Sequence, residues 1–408
     1  MPDAVGTLRP APRVHFGYGS RAQIPSLVKV HGQRVLAVVD PFLIRTRFFD
    51  EIVAALIEAG IGVRVYSDVT PELPVDTLDA PATMAREYGA DVILAIGGGS
   101  ALDAAKLIAL LSAHGGPLSR YYGENQVPGP IVPIVAVPTT AGTGSEVTPV
   151  AVVSDPEREL KVGISSPFLV PAVAIVDPEF TLGSPATVTA FSGIDALVHA
   201  VESYTARPLD VDWSAPLPVF TGRNALAEPI ALQAARHLGP WLSVAVRQPE
   251  DRRARQEVAV GSLLGGLAFG STGTHLCHAL QYPIGAITKT PHGLGTGLML
   301  PYMLDALLVE SENAVRIAAL GAALEDLPAE QASPDRTISR IVAINREIGV
   351  PATLAEIGLD RDQLPRIADL ALGSARLLAI APVEPSRDLL LEILERAHHG
   401  VLTDRSVA

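Results

Sequence analysis

Asp195 and His199 lie four residues apart in FSGIDALVHAVESYT (191–205), a stretch that reads as helix. At 3.6 residues per turn, positions i and i+4 stack on one helix face. A carboxylate and an imidazole placed this way form half of a divalent-metal site. The stretch STGTHLCHALQYPIGAITKTPHG downstream offers His275, His278 and His292 for the other half. An isolated histidine in apolar surroundings is usually a hydrogen-bonded core residue. Four beside one carboxylate, in a chain with ten histidines, fit that reading poorly. His275 and His278 are three apart, so spacing does not choose between them. One carboxylate and three imidazoles suit Fe²⁺ or Zn²⁺ better than Mg²⁺ or Ca²⁺. Cys277 would point away from the face holding His278 and reads as a packing residue.

Two loops offer a second chemistry. Gly97-Gly98-Gly99-Ser100 follows the apolar run DVILAI and leads into a helical pattern carrying Asp103 and Lys106. Glycines let backbone approach a phosphate, and a helix N-terminus presents free N–H groups. The second loop, Pro138 to Glu146 (PTTAGTGSE), is dense in hydroxyls and glycines and also follows an apolar run. A lone GGGS is equally a tight strand-to-helix turn. Two such loops on successive strand ends point to a nucleotide-binding cleft, since ligands of open α/β sheets bind at the carboxyl ends of strands. The G-x-G-x-x-G fingerprint is absent, so this is not the commonest dinucleotide fold. Asp40 closes an early strand. It could bond a ribose 2′-OH and repel a 2′-phosphate, favouring NAD over NADP, or Asp40-Pro41 could simply start a turn. His15, His31 and His114 have no partner at ligand spacing and read as surface or turn residues. Gly17-Tyr18-Gly19-Ser20 reads as a hairpin or turn.

The elements that must hold these residues change character along the chain. Apolar strand runs (34–39, 62–68, 91–100, 130–140, the last two including the loops that follow) alternate with helical patterns, and VAVVSD and VAIVDP read as further short strands. Strands apolar throughout belong to a parallel sheet covered on both faces. After about Pro185 strand-like runs cease. Helical patterns cover 187–205, 224–247, 250–270, 273–283, 293–323, 335–348, 362–380 and 385–399, interrupted by a proline-rich loop at 207–222. A boundary near Gly183 to Thr187 gives an α/β domain over 1–185 and an all-helical, metal-binding domain over 186–408. Two domains also suit 408 residues, because single cores rarely exceed roughly 250–300. With 48% hydrophobic and 18% charged residues the chain folds rather than staying disordered. Its net charge of −13 disfavours non-specific binding to nucleic acid or anionic membrane. One cysteine permits no internal disulfide, MPDAVGTLRP does not read as a signal peptide, and the apolar runs are too short to span a bilayer. A soluble cytoplasmic protein is the expectation.

Five segments, in order, resemble signatures of the iron-containing (group III) alcohol dehydrogenase family: GGGSALDAAK at 97–106, PTTAGTGSEVTP at 138–149, VAIVDPE at 173–179, GIDALVHAVESY at 193–204 and HALQYPIGA…TPHG at 278–293. The resemblance implies a Rossmann-like N-terminal domain with a parallel sheet, an all-α C-terminal domain and a cleft between them, an architecture like that of dehydroquinate synthase. It implies a metal, Fe²⁺ or alternatively Zn²⁺, held by Asp195, His199, His278 and His292. It implies NAD bound by Gly97, Gly98, Gly99 and Ser100 at the pyrophosphate, with Thr139, Thr140, Thr143 and Ser145 around the nucleotide, Asp103 and Lys161 near it, and Asp40 reading the ribose. Many members carry another histidine four residues after the third ligand, where this chain has Tyr282. Tyr282 and His275 are thus the expected catalytic neighbours of the substrate. The loop at 207–222 looks longer than the family's common form. The implied activity is NAD(H)-linked interconversion of an alcohol and an aldehyde or ketone by a homodimer. Maleylacetate reductase-like or hydroxyacid–oxoacid transhydrogenase activity is the nearest alternative, and a metal-dependent lyase a more distant one.

Overall fold

Packing divides the chain at Leu182/Gly183 in the computed structural model, which describes residues 6–403. The first unit, Arg9–Leu182, is built on a six-stranded parallel sheet. Its strands are β1 (Val14–Phe16), β2 (Arg34–Val39), β3 (Gly62–Tyr66), β4 (Val92–Gly97), β6 (Ile134–Pro138) and β9 (Val173–Val176), in the order β1-β9-β6-β4-β2-β3. Helices α1 (Ile24–His31), α2 (Arg47–Glu58), α3 (Asp79–Tyr88) and α4 (Gly99–His114) connect or flank them. The apolar runs predict burial on both faces, and the side chains divide that way. Leu36, Val38, Ile93, Ala95, Ile134 and Ala136 enter one core cluster, while Val35, Ala37, Val39, Leu94, Ile96, Val135 and Val137 enter the other. Each fully buried Val, Leu or Ile contributes about 1.5–3 kcal/mol, which is why the central strands carry no polar alternation.

Two features differ from the sequence expectation. VAVVSD does not join the main sheet: β7 (Val150–Val153) pairs antiparallel with β8 (Val162–Ser165), which pairs with β5 (Gly123–Glu124) in a small second sheet. Strand β1 is too short and too exposed to announce itself in sequence, yet it lies parallel to β9 at the sheet edge, and Gly17 and Gly19 follow it in a turn with positive φ.

The second unit, residues 6–8 with 183–403, is helical, and its only β pairing among the described residues is an isolated bridge between Pro208 and Gly222 at the ends of the proline-rich loop. Its helices are α5 (Ala186–Thr205), α6 (Glu228–Arg247), α7 (Arg252–Thr272), α8 (Leu276–Thr288), α9 (His292–Leu307), α10 (Ser311–Glu325), α11 (Pro334–Ile348), α12 (Leu364–Leu372), α13 (Ala375–Leu378) and α14 (Arg387–His399). The continuous helix expected over 293–323 is two, because Glu310 is extended and exposed Val309 interrupts the buried stripe. The expected helix over 362–380 likewise breaks between α12 and α13. None of the helices among the described residues is long and apolar enough to cross a membrane.

Helix α9 approaches α5 at backbone distance. A Cβ at Gly293 would lie 1.9 Å from the Phe191 carbonyl oxygen, and one at Gly297 2.5 Å from Ile194 Cγ1. Two glycines four apart thus let α9 settle on α5 and bring His292, its first residue, beside Asp195. Gly293→Ala should force the helices apart and cost about 1–3 kcal/mol. Thermal unfolding checks this, and wild-type stability in the variant would contradict the close contact.

Within the α/β unit, Lys106 of α4 has no exposed surface and donates from Nζ to the carbonyls of Thr148 and Val150, 2.8 Å each. Burial lowers its pKa to about 8 against the opposing pull of Asp103 and Glu146. Between about pH 8 and 10.5 the unfolded chain therefore binds the proton that the folded chain has released. Stability from this group rises with pH across that window. Comparing denaturant unfolding of the wild type with Lys106→Met at pH 8 and pH 10.5 should show the difference moving in favour of the wild type, on the order of 2–3 kcal/mol.

Candidate metal centre and cofactor loops

Helix α5 turns Asp195, His199 and Glu202 toward one side, at i, i+4 and i+7. All three are buried. His278 of α8 and His292 of α9 converge on the same carboxylate. His199 Nε2 lies 3.7 Å from Asp195 Oδ2, His292 Nε2 3.7 Å from Oδ1, and His278 Nε2 3.9 Å from Oδ1. Asp195, His278 and His292 each offer a ligand atom, all within 4.8 Å of one another. His199 stands to the side of that trio, its ring stacked on Phe269 at 4.2 Å and on His278 at 5.0 Å.

These separations are too long for hydrogen bonds. They approach the ~3.4 Å edge of a tetrahedron of donors about 2.1 Å from a shared ion. Three imidazoles and one carboxylate are also the donor chemistry of Fe²⁺ or Zn²⁺. The residues therefore fit a divalent transition metal. The Thr296 hydroxyl donates to Asp195 Oδ1 at 2.8 Å and helps fix the carboxylate. Burial alone would raise the Asp195 pKa, but the rings of His199, His292 and His278 and the Thr296 hydroxyl outweigh it and hold the carboxyl below its ordinary range.

Glu202 is a residue that sequence reasoning passed over. It has no exposed surface, and its Oε2 accepts from His278 Nδ1 at 2.6 Å while Oε1 accepts from the Cys277 N–H at 2.6 Å. Burial would raise its pKa, yet His275, His278 and the two donated hydrogen bonds bring it down to about 2. His278 is pushed the other way: burial disfavours its cation, but the Glu202 carboxylate and then Asp195 raise its pKa. The signal was present in sequence, because Glu202 continues the 195/199 face by one more turn.

His275 precedes α8 and is wholly buried behind the centre, its Nε2 3.0 Å from Thr205 Oγ1 and its Nδ1 3.3 Å from Glu202 Oε1. Burial lowers its pKa. Its ring thus faces the Glu202 side of the site. Tyr282 is half-buried one turn along α8, its ring stacked on His292 with centroids 6.1 Å apart. Cys277 is buried, and burial together with Glu202 pushes its thiol pKa well up.

In the α/β unit both glycine loops leave adjacent strand ends, since Gly97 of β4 registers with Pro138 of β6. They press on each other. A Cβ at Gly99 would lie 2.7 Å from Thr143 Cγ2, and one at Gly98 3.4 Å from Thr140 Cγ2. The Thr139 N–H donates to the Gly97 carbonyl at 3.0 Å. Gly98, Gly99 and Ser100 retain partial exposure at the start of α4, where its first N–H groups are free of helical partners. Asp40 follows β2 next to Gly97, and its Oδ1 accepts from the Phe42 N–H at 2.9 Å, a turn-forming bond that occupies one carboxylate oxygen.

Two expected cofactor residues are occupied with each other. Ser145 donates to Asp103 Oδ1 at 2.6 Å, and the Val152 N–H donates to Oδ2 at 2.9 Å. Burial raises the Asp103 pKa despite Lys106 and these bonds. Glu146 beside them is pushed up to about 7 by burial, against its own backbone N–H and Lys106. Lys161 pairs with Glu72 Oε2 at 2.5 Å.

Comparison with known proteins agrees with this arrangement across the chain. Residues 11–178 match the iron-containing alcohol dehydrogenase family profile, and residues 189–398 match the profile of the Fe-containing alcohol dehydrogenase family's C-terminal domain. A long-chain-alcohol dehydrogenase of Geobacillus thermodenitrificans is 33% identical over 401 residues, covering 96% of this chain and 97% of the relative. An NAD-dependent methanol dehydrogenase of Bacillus methanolicus is 32% identical over 86% of this chain and 90% of its own. A crystal structure of 1,3-propanediol oxidoreductase superposes with a TM-score of 0.88 at 29% identity, covering 96% of this chain and all of that one. Both halves and their order correspond, and the chain belongs to the iron-containing alcohol dehydrogenase family, as an oxidoreductase that interconverts alcohols and their carbonyl counterparts.

Proposed function

We propose that Asp195, His199, His278 and His292 hold a single Fe²⁺, with Zn²⁺ as the alternative ion, and that the glycine and threonine loops bind NAD(H). The observation that carries the metal assignment is the convergence of three imidazoles on one buried carboxylate at 3.7–3.9 Å without hydrogen bonding between them. When bound, the ion supplies Lewis acidity toward a substrate oxygen and the nicotinamide accepts or returns hydride. The chain's own part is positional. Thr296 orients Asp195, Phe269 backs the His199 ring, and Glu202 orients His278. Tyr282, beside His292, is the side chain assigned to touch a substrate hydroxyl or carbonyl through its phenol O–H. At the other loop set, Gly98, Gly99 and Ser100 present backbone to a pyrophosphate, Thr140 and Thr143 shape the opposite wall, and Asp103 with Ser145 braces that wall from behind.

Asp40 is read as the ribose selector. One of its oxygens is committed to the turn, which leaves the other for a 2′-hydroxyl. The name of the Bacillus methanolicus relative supports NAD as the nucleotide. The family resemblance supports a homodimer, and the single cysteine and acidic net charge accord with a reducing cytoplasm.

The direct test is NADH oxidation by purified protein supplied with Fe²⁺ or Zn²⁺, screened over aldehydes, ketones and oxo acids. Turnover should require metal, with about one ion per chain by elemental analysis, and Asp195→Ala or His278→Ala should lose the ion and at least a hundredfold in activity. Full metal retention in both variants would sink the assignment. Turnover of two carbonyl–alcohol pairs with only catalytic nucleotide would instead identify a transhydrogenase. For the nucleotide, Asp40→Gly should gain NADPH use by tenfold or more in kcat/KM, and an unchanged NADH-to-NADPH ratio would refute the selector role.

A further inference from the structure

We infer that Glu202 is a positioning residue that sets the tautomer of His278, so that the Nε2 lone pair rather than an N–H is presented toward Asp195. The inference rests on the metal reading above for its purpose but on hydrogen-bond geometry for its substance. Glu202 lies one helical turn beyond His199, with no exposed surface. A carboxylate only accepts hydrogen bonds. Its two oxygens meet two donors, the Cys277 N–H and His278 Nδ1, at 2.6 Å each. His278 Nδ1 must therefore carry a proton. In a neutral imidazole the other nitrogen then holds the lone pair. That nitrogen, Nε2, is the one facing Asp195 Oδ1 at 3.9 Å.

The same carboxylate does a second job at no geometric cost. Helix α8 starts at Leu276, and its N-cap residue, His275, makes no side-chain cap bond. Glu202 fills that role from α5 by accepting the N–H of Cys277, in the first turn, where a negative charge is also favoured by the helix dipole. One group thus fixes where α8 begins and which nitrogen of His278 faces the centre, three residues past that N-cap. His275 completes the back of the arrangement, between Glu202 Oε1 at 3.3 Å and Thr205 Oγ1 at 3.0 Å.

Glutamine cannot substitute. If its NH₂ faces Cys277, two donors meet and the cap is lost. If its NH₂ faces His278, Nδ1 must become the acceptor, and the ring proton moves to Nε2, where it blocks ligation. Aspartate keeps acceptor-only character on a shorter arm.

The test reads the ring directly in metal-free protein labelled with ¹⁵N-histidine, by long-range ¹H–¹⁵N correlation, with the His278 signals assigned by their loss in His278→Gln. At a pH where the ring is neutral, the wild type should show His278 as the Nδ1–H tautomer. An Nε2–H ring there overturns the proposal without any variant. In Glu202→Gln either the Cys277 N–H loses its acceptor or the ring loses the Nδ1–H form, and in both cases affinity for Co²⁺, followed by its visible absorption, should fall about 10–100-fold. Glu202→Asp should keep the tautomer and recover most of that affinity. Equal losses in the Gln and Asp variants, or wild-type Co²⁺ affinity in Glu202→Gln, would mean that packing rather than acceptor character matters and would overturn the inference. A wild type that binds no Co²⁺ yet shows the expected tautomers would instead defeat the metal reading and leave the Glu202 assignment standing.

Discussion

Two carboxylates on one face of a buried helix, Asp195 and Glu202, organise the helical unit of this protein. Neither can be buried cheaply without partners, because an isolated ionised carboxylate in an apolar interior is strongly disfavoured. Asp195 meets that demand with a threonine hydroxyl and three surrounding imidazoles. Glu202 meets it with a helix N–H and a histidine N–H. The start of α8 and the close approach of α9 to α5 bring those partners into reach. The helices could pack in other ways as hydrophobic cylinders. The need to surround two charges selects one of them.

The α/β unit solves a different problem with the same economy. A loop built to approach a phosphate must be open and rich in glycine, and such a loop has little of its own to hold it. Here the support lies behind it. Asp103 and Lys106, three apart on α4, reach the second loop and the start of β7 through Ser145, Val152, Thr148 and Val150. Asp103, Lys106 and Ser145, close in sequence to the loop glycines and threonines, thus brace those loops from behind. Ordered sequence motifs do not separate these roles, because a brace and a contact sit a few residues apart in the same segment.

What was legible in sequence follows from periodicity. The central strands are apolar at every position because both faces are covered. That pattern belongs to parallel sheets, and it located β2 residue for residue and placed β4 and β6 inside longer apolar runs. The 195/199 spacing placed a carboxylate and an imidazole on one helix face without any structure. The same arithmetic extended to 202 would have found Glu202. It was passed over because a glutamate on a helix reads as solvent-facing until its burial is seen. Strand β1 and the break at Val309–Glu310 were illegible for the opposite reason, since three-residue strands and short helix interruptions carry too little pattern.

The order of elements, the two glycine loops and the set of candidate carboxylate and imidazole donors were thus determined by the linear chain. Side-chain chemistry and the 2.0 and 3.6 periods are local properties. Only the tertiary structure decided which histidine stands where. His275 and His278 are indistinguishable by spacing, and the family motif favoured His278 by alignment alone. In the folded chain, Gly293 and Gly297 let α9 close on α5, and Glu202 anchors the first turn of α8. That anchor turns His278 Nε2 toward Asp195 and leaves His275 behind it against Thr205. Such a choice depends on distances between helices remote in sequence, and no local pattern encodes them.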